Sequence, residues 1–252
     1  MDVYSRVRSF KATGYQALAN DYFARAGVTD PIQKANYNSL FLELIAGGVD
    51  LNADFIYNFT AYNDTQAVTS LFNNFTATPV GLTGRFTPKV GVTFNGTGYI
   101  NSGYFPLTSK IHYSLNDAAI GFKRQGADPT NYFLIASKTP ENITIGLRGI
   151  NNYFYCGINN NSAPSFNAGI KSVSAIVKRT SATSVTTDYD SNTNTILSNV
   201  VALDTTEIQI GAENNIPYAQ NGTGLSHVYA GNSSLSKSVI DTAISNFVSR
   251  MA

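Results

Sequence analysis

Residues 92–104, Val-Thr-Phe-Asn-Gly-Thr-Gly-Tyr-Ile-Asn-Ser-Gly-Tyr, constrain the fold of this chain more than any other stretch. They read as a strand, a tight glycine corner and a second strand, and a long train of similar units follows. Candidate strands occupy 92–100, 118–123, 132–136, 143–148, 153–158, 173–178, 184–189, 207–211 and 225–230. Each has β-branched or aromatic residues in alternation, bounded by glycine, asparagine or proline. A spacing of roughly ten to fifteen residues suits an antiparallel sandwich or jelly roll.

The first fifty residues follow a different period. Tyr15, Leu18, Tyr22 and Ala26 recur on one helical face, and Leu40, Phe41, Leu44 and Ile45 repeat the pattern. Between them Asp30 offers a capping side chain and Pro31 a first helical residue, while Gly47-Gly48 ends the second helix. At the other end Ser236 can cap a last helix whose apolar face is Val239, Ile240, Ala243, Ile244, Phe247 and Val248. The expected organisation is a helical segment over 1–50 and a mainly β region over 51–252 closed by that helix.

Composition narrows the partners. Charged residues make up 13% of 252 and the net charge is +1, about half the ordinary charged share of about 25%. The nearest approach to a basic cluster is Lys178-Arg179 with Lys123-Arg124, too little for the stripe a nucleic-acid protein uses, so no nucleic-acid partner is expected. No apolar run reaches the eighteen or so residues of a membrane span, and the first residues lack the basic start and apolar core of a secretory signal. The single cysteine, Cys156, can form no internal disulfide and reads as a small buried residue.

Taken together, Phe94-Asn-Gly-Thr-Gly-Tyr99, Ile208-Gln-Ile-Gly-Ala-Glu-Asn-Asn215 and Tyr229-Ala-Gly-Asn-Ser-Ser-Leu-Ser236 before a terminal helix resemble the concanavalin A-like lectin/glucanase jelly roll in its laminin-G-like form. The earlier pattern, Ala26-Gly-Val-Thr-Asp-Pro31 and then Phe55-Ile-Tyr57, is similar to virion-associated proteins of tailed bacteriophages. The resemblance implies a non-enzymatic structural protein located in the virion, partnered by other virion proteins and open to self-association. The alternative it implies is an adhesin that binds host surface polysaccharide.

The glucanases of this fold need two carboxylates about 5 to 5.5 Å apart. Glu207 and Glu213 share strand parity, but six extended residues put them some 20 Å apart, and Gln209 and Gly211 between them cannot ionise. No catalytic residue is therefore expected. The run 188–194 has oxygen-bearing side chains at alternate positions, yet Thr193 and Asn199 stand where a calcium loop needs glycine and a bidentate glutamate. It reads as a hairpin turn, and His112 and His227 read as hydrogen-bonded sheet residues, so neither metal nor cofactor is expected. Sugar binding by loop amides beside an aromatic ring points to Asn151, Asn152 and Tyr153, and to Asn214, Asn215 and Tyr218. Leu40, Phe41, Leu44 and Ile45 form a stripe that either anchors the chain to another subunit or braces its own sheet.

Overall fold

The computed structural model describes residues 3–82, 85–125, 133–137, 143–148, 153–160, 164–167, 174–213, 215–217, 219 and 224–251. Among these, two antiparallel sheets face each other. Along the first run β13 (Asn192–Leu197), β12 (Ser184–Tyr189), β11 (Ser174–Arg179), β6 (Ala118–Gln125), β17 (Gly224–Gly231), β4 (Gly91–Thr93) and β3 (Phe86–Thr87), with β1 (Ala53–Asn58) also on β17. Along the second run β10 (Ser165–Asn167), β9 (Tyr153–Ile158), β8 (Ile143–Arg148), β7 (Phe133–Ser137), β14 (Ile208–Ile210), β5 (Tyr99–Asn101) and β2 (Thr78–Val80), with β15 (Ala212–Glu213) and β16 (Ile216–Pro217) beside them. This is the expected antiparallel sandwich.

The glycine corner at 95–98 does more than turn the chain. Segment 92–100 is two strands in opposite sheets: β4 ends at Thr93 in the first, β5 starts at Tyr99 in the second, and the corner carries the chain across. Asn95 builds it, its Oδ1 accepting from the Gly98 amide at 2.7 Å while its Nδ2 donates to the Gly81 carbonyl at 2.8 Å. Asparagine closes such turns because its short side chain mimics a backbone peptide.

Between the sheets lies one apolar core, with Phe55, Tyr57, Ile120, Phe122, Val177 and Val228 from the first sheet against Ile100, Ile135, Phe154, Ile158, Ile208 and Ile210 from the second. A second core covers the other side of the first sheet. There Ala53, Ile56, Ala119, Ile176 and Tyr229 meet three helices, α1 (Val3–Ala26), α2 (Pro31–Ala46) and, after the short α3 (Asp64–Val68), α4 (Lys237–Arg250). The molecule is thus three layers deep, helices on sheet on sheet. Every residue of β1 and β17 is buried for that reason.

The helix ends follow the sequence. Asp30 accepts from the Gln33 amide at 2.8 Å, Pro31 starts α2, and the Gly47 amide donates to the Glu43 carbonyl. Ser236 caps α4 through the Val239 amide at 3.4 Å. Of the stripe on α2, Leu40, Phe41 and Leu44 are completely buried within the cluster that includes Tyr22, Phe72 and Phe247 of the same chain, and Ile45 is nearly buried. These residues brace the chain's own first sheet.

Two expectations change in detail. His112 lies in a bend and not in a strand: with Ile111 and Tyr113 it donates its backbone N–H to the buried carboxylate of Asp54, at 2.6 Å to Oδ1 in the case of His112. Arg179 is no surface cation. It is fully buried, with Nε on the Ile158 carbonyl at 2.8 Å and Nη1 on the Ser198 carbonyl at 2.7 Å, tying the end of β11 to the end of β9 and to the segment after β13. The 188–194 run is the expected hairpin, with Tyr189 opposite Asn192, Asp190 at φ +47° in the turn, and Thr193 donating to Asp188 at 2.8 Å.

Candidate functional site

The pleat of the second sheet decides which side chains it presents outward. In β5, Ile100 points into the core, so Tyr99 and Asn101 point away from it, and in β14 Gln209 points away between the inward Ile208 and Ile210. Register then sets Gln209 directly opposite Asn101, with Thr78 and Val80 of β2 opposite Asn101 and Tyr99 on the far side. After β14 the chain bends at Gly211, at φ +82°, and Asn215 lies in the turn between β15 and β16 at φ +60°. That left-handed conformation is one asparagine tolerates better than most residues.

Gln209 is the organiser of this face. Its Nε2 donates to Asn101 Oδ1 at 2.9 Å and to Asn215 Oδ1 at 2.8 Å, while its Oε1 accepts from the Asn215 amide at 2.8 Å. The Tyr99 hydroxyl donates to the same Asn215 Oδ1 at 3.3 Å. Gln209 is buried and fully satisfied, whereas Asn215 is exposed and Asn101 and Tyr99 are half-buried. Both asparagine oxygens are engaged, and Asn101 and Asn215 lie on the same outward face as the Tyr99 ring. Such a surface suits a polyhydroxylated ligand, which offers hydroxyl oxygens to the amides and C–H faces to the ring.

Of the residues expected from sequence, Asn215 is here. Asn151, Asn152, Asn214 and Tyr218 lie outside the described residues, and Tyr153 begins β9 at a position whose side chain is likewise outside them. Sequence reasoning missed Tyr99, Asn101 and Gln209. The signal was the parity of Tyr99 with Asn101 in one strand, but their meeting with Gln209 depends on strand register.

Of the two carboxylates considered for glycoside cleavage, the Glu213 side chain lies outside the described residues and Glu207 serves another end. Glu207 Oε1 accepts from the Gly103 amide at 2.6 Å and so fixes the loop after β5. Among the described residues no three His, Cys, Asp or Glu side chains gather closely enough to hold a metal. Cys156 is buried, donates from Sγ to the Pro164 carbonyl at 3.3 Å, and burial pushes its thiol pKa up to about 11.

A second polar group lies where α4 crosses β17. His227, on β17, is fully buried; its Nε2 meets Asp241 Oδ1 on α4 at 2.8 Å and its Nδ1 meets Ser226 Oγ at 3.0 Å. Asp241 also accepts from Ser174 Oγ at 2.6 Å and sits 3.8 Å from Lys237 Nζ. Burial lowers the His227 pKa more than the bond and charge of Asp241 raise it, so the ring is held neutral. Burial pushes the Asp241 carboxyl up, but the hydrogen bonds from His227 and Ser174 and the Lys123 charge outweigh it and leave the carboxyl below its usual range. A neutral ring facing an ionised acid carries its proton on Nε2, so Ser226 donates to Nδ1. Ser226 is the extra residue of a bulge in β17 between its pairings with β4 and β1.

No protein-family model matches this chain, and no curated protein sequence does. Among solved structures, the binding domain of botulinum neurotoxin serotype D aligns with TM-score 0.50 and 12% identity, over 77% of this chain and 50% of that one. A sialidase from Trypanosoma rangeli aligns with TM-score 0.49 and 12% identity, over 84% of this chain and 38% of that one. Domain 4 of an extracellular arabinanase from Geobacillus stearothermophilus, solved with arabinotriose, aligns with TM-score 0.42 and 15% identity, over 76% of this chain and 98% of the domain. The chain therefore spans half or less of the neurotoxin and sialidase chains. At 12% identity the likeness to the neurotoxin binding domain speaks to the fold alone.

Proposed function

We propose that this chain is a non-catalytic recognition module that binds a glycan on the outer face of its second sheet, and that it is displayed on the virion of a tailed phage. The observation that carries the binding reading is the Gln209 network, which fixes Asn101 and Asn215 on the outward face that also carries Tyr99. Pre-organised donors lose little freedom when a ligand arrives, which is how modest polar surfaces gain affinity. The virion setting rests on the similarity of segments 26–31 and 55–57 to virion-associated proteins.

A panel of bacterial capsule and lipopolysaccharide glycans tests it. Specific binding that disappears in both Asn101→Ala and Asn215→Gly, with an unchanged melting transition, is the expected result. Silence across the panel, or binding indifferent to both substitutions, overturns the glycan reading and leaves a structural role in the particle.

A further inference from the structure

A cleft of about 290 Å3 opens between α4 and the neighbouring ends of β6 and β17. Its wall carries Lys89 and Lys123, together with Gln125, Ser226 and Ser245, and among the described residues no carboxylate lines it. The whole chain has a net charge of +1, so this concentration of positive charge is local. Two lysines on one concavity repel each other, a cost that a bound anion removes.

The donors can be sorted. Ser226 gives its proton to His227 Nδ1, and Thr60, also on the wall, donates to Asn58 Oδ1 at 2.5 Å; both hydroxyls are engaged inward. Lys123 Nζ donates to Ser245 Oγ at 3.3 Å, which leaves the Ser245 proton free to point into the cleft. Lys89 is exposed at φ +65°, with its amide fixed on the Thr60 carbonyl at 3.0 Å. Neither lysine forms an ion pair among the described residues. Asp241, the acid whose pKa feels the Lys123 charge, is already engaged by His227, Ser174 and Lys237.

We infer that this cleft is a binding site for a small oxyanion-bearing ligand, held by Lys89 and Lys123 with Ser245 and Gln125 as flanking donors. Charge-assisted N–H···O⁻ bonds are about twice as strong as neutral ones, which suits phosphate, sulfate or carboxylate. The volume lies at the lower end of small-molecule pockets, so the cleft takes a free anion or one anionic substituent with its sugar ring. The site stands apart from the amide face, and its assignment is independent of the glycan reading.

Titration calorimetry on the full chain, at constant ionic strength, tests this with inorganic phosphate, sulfate and glucuronate, and with glucose as the neutral control. Saturable phosphate or sulfate binding that weakens about tenfold in Lys123→Gln, and again in the exposed variant Lys89→Gln, supports the assignment. Saturable glucuronate binding with the same sensitivity supports it equally and names an acidic sugar as the source. No saturable binding to any of the three anions, or binding that both lysine variants leave unchanged, overturns it. A loss in Asn215→Gly instead would move the anion to the other face and also overturn it.

Discussion

Gln209 and Asn215 clasp each other head to tail: the Asn215 amide donates to Gln209 Oε1 at 2.8 Å, and Gln209 Nε2 donates back to Asn215 Oδ1 at 2.8 Å. One side chain from mid-strand thereby fixes a turn residue held at positive φ. Gln209→Leu removes three hydrogen bonds and strands partners at a partly covered site, costing about 1–3 kcal/mol. Asn215→Gly loses the two side-chain bonds, from Gln209 and Tyr99, but relaxes the backbone, so its net change stays below about 1 kcal/mol. Both variants lose glycan binding. Urea melts read beside the glycan panel separate the two effects.

Leu44 is completely buried between the helices and the first sheet. Leu44→Ala leaves a cavity there and lowers stability by about 2–5 kcal/mol, seen as a fall in the urea midpoint with little change in slope. Leu44→Asp places a charge in the same core and abolishes cooperative folding of the purified chain. A Leu44→Ala variant as stable as the parent would show that the helical layer is not a brace.

The His227 ring is held neutral by burial, so below about pH 6.5 the unfolded chain binds a proton that the folded chain excludes. Stability therefore falls as pH drops through that value, by at most about 1.4 kcal/mol per pH unit from this one group. Asp241, held below its usual carboxylate range, adds a second loss only as pH falls past about 4. Urea midpoints measured from pH 7.5 to 5 should decline in the parent and flatten in His227→Gln.

Cys156 is shielded from solvent and its thiol pKa is raised to about 11. The thiolate, not the thiol, is the nucleophile. A disulfide reagent at pH 8 should leave the native protein unmodified over minutes and label it fully in denaturant. Rapid labelling of the folded chain would place this residue at a surface.

Much of the sheet pattern was legible because turn chemistry marks it. The expected strands at 143–148, 153–158 and 184–189 coincide with β8, β9 and β12. Several strands escaped, and two of them show why. β1 is buried on both faces, between the inner core and the helices, so its Ala-Asp-Phe-Ile-Tyr-Asn run shows no alternation to read. β13, Asn-Thr-Asn-Thr-Ile-Leu, is an outermost strand with no buried residue, and its polar side chains look like a continuation of the turn before it. The amide face was legible only at Asn215. Tyr99 and Asn101 reach Gln209 across more than a hundred residues of chain, and a single sequence does not state which strands pair.

The stacking order of the three layers gives the molecule a back and a front. Helices cover the central strands of one sheet, so that side can be fastened to a carrier, with Ile32 and Leu42 of α2 still turned outward, and nothing on the opposite side is disturbed. The amide surface then faces away from whatever bears the domain. Tethering through the back, on a biosensor or a particle, is the orientation in which this protein meets its surroundings unobstructed.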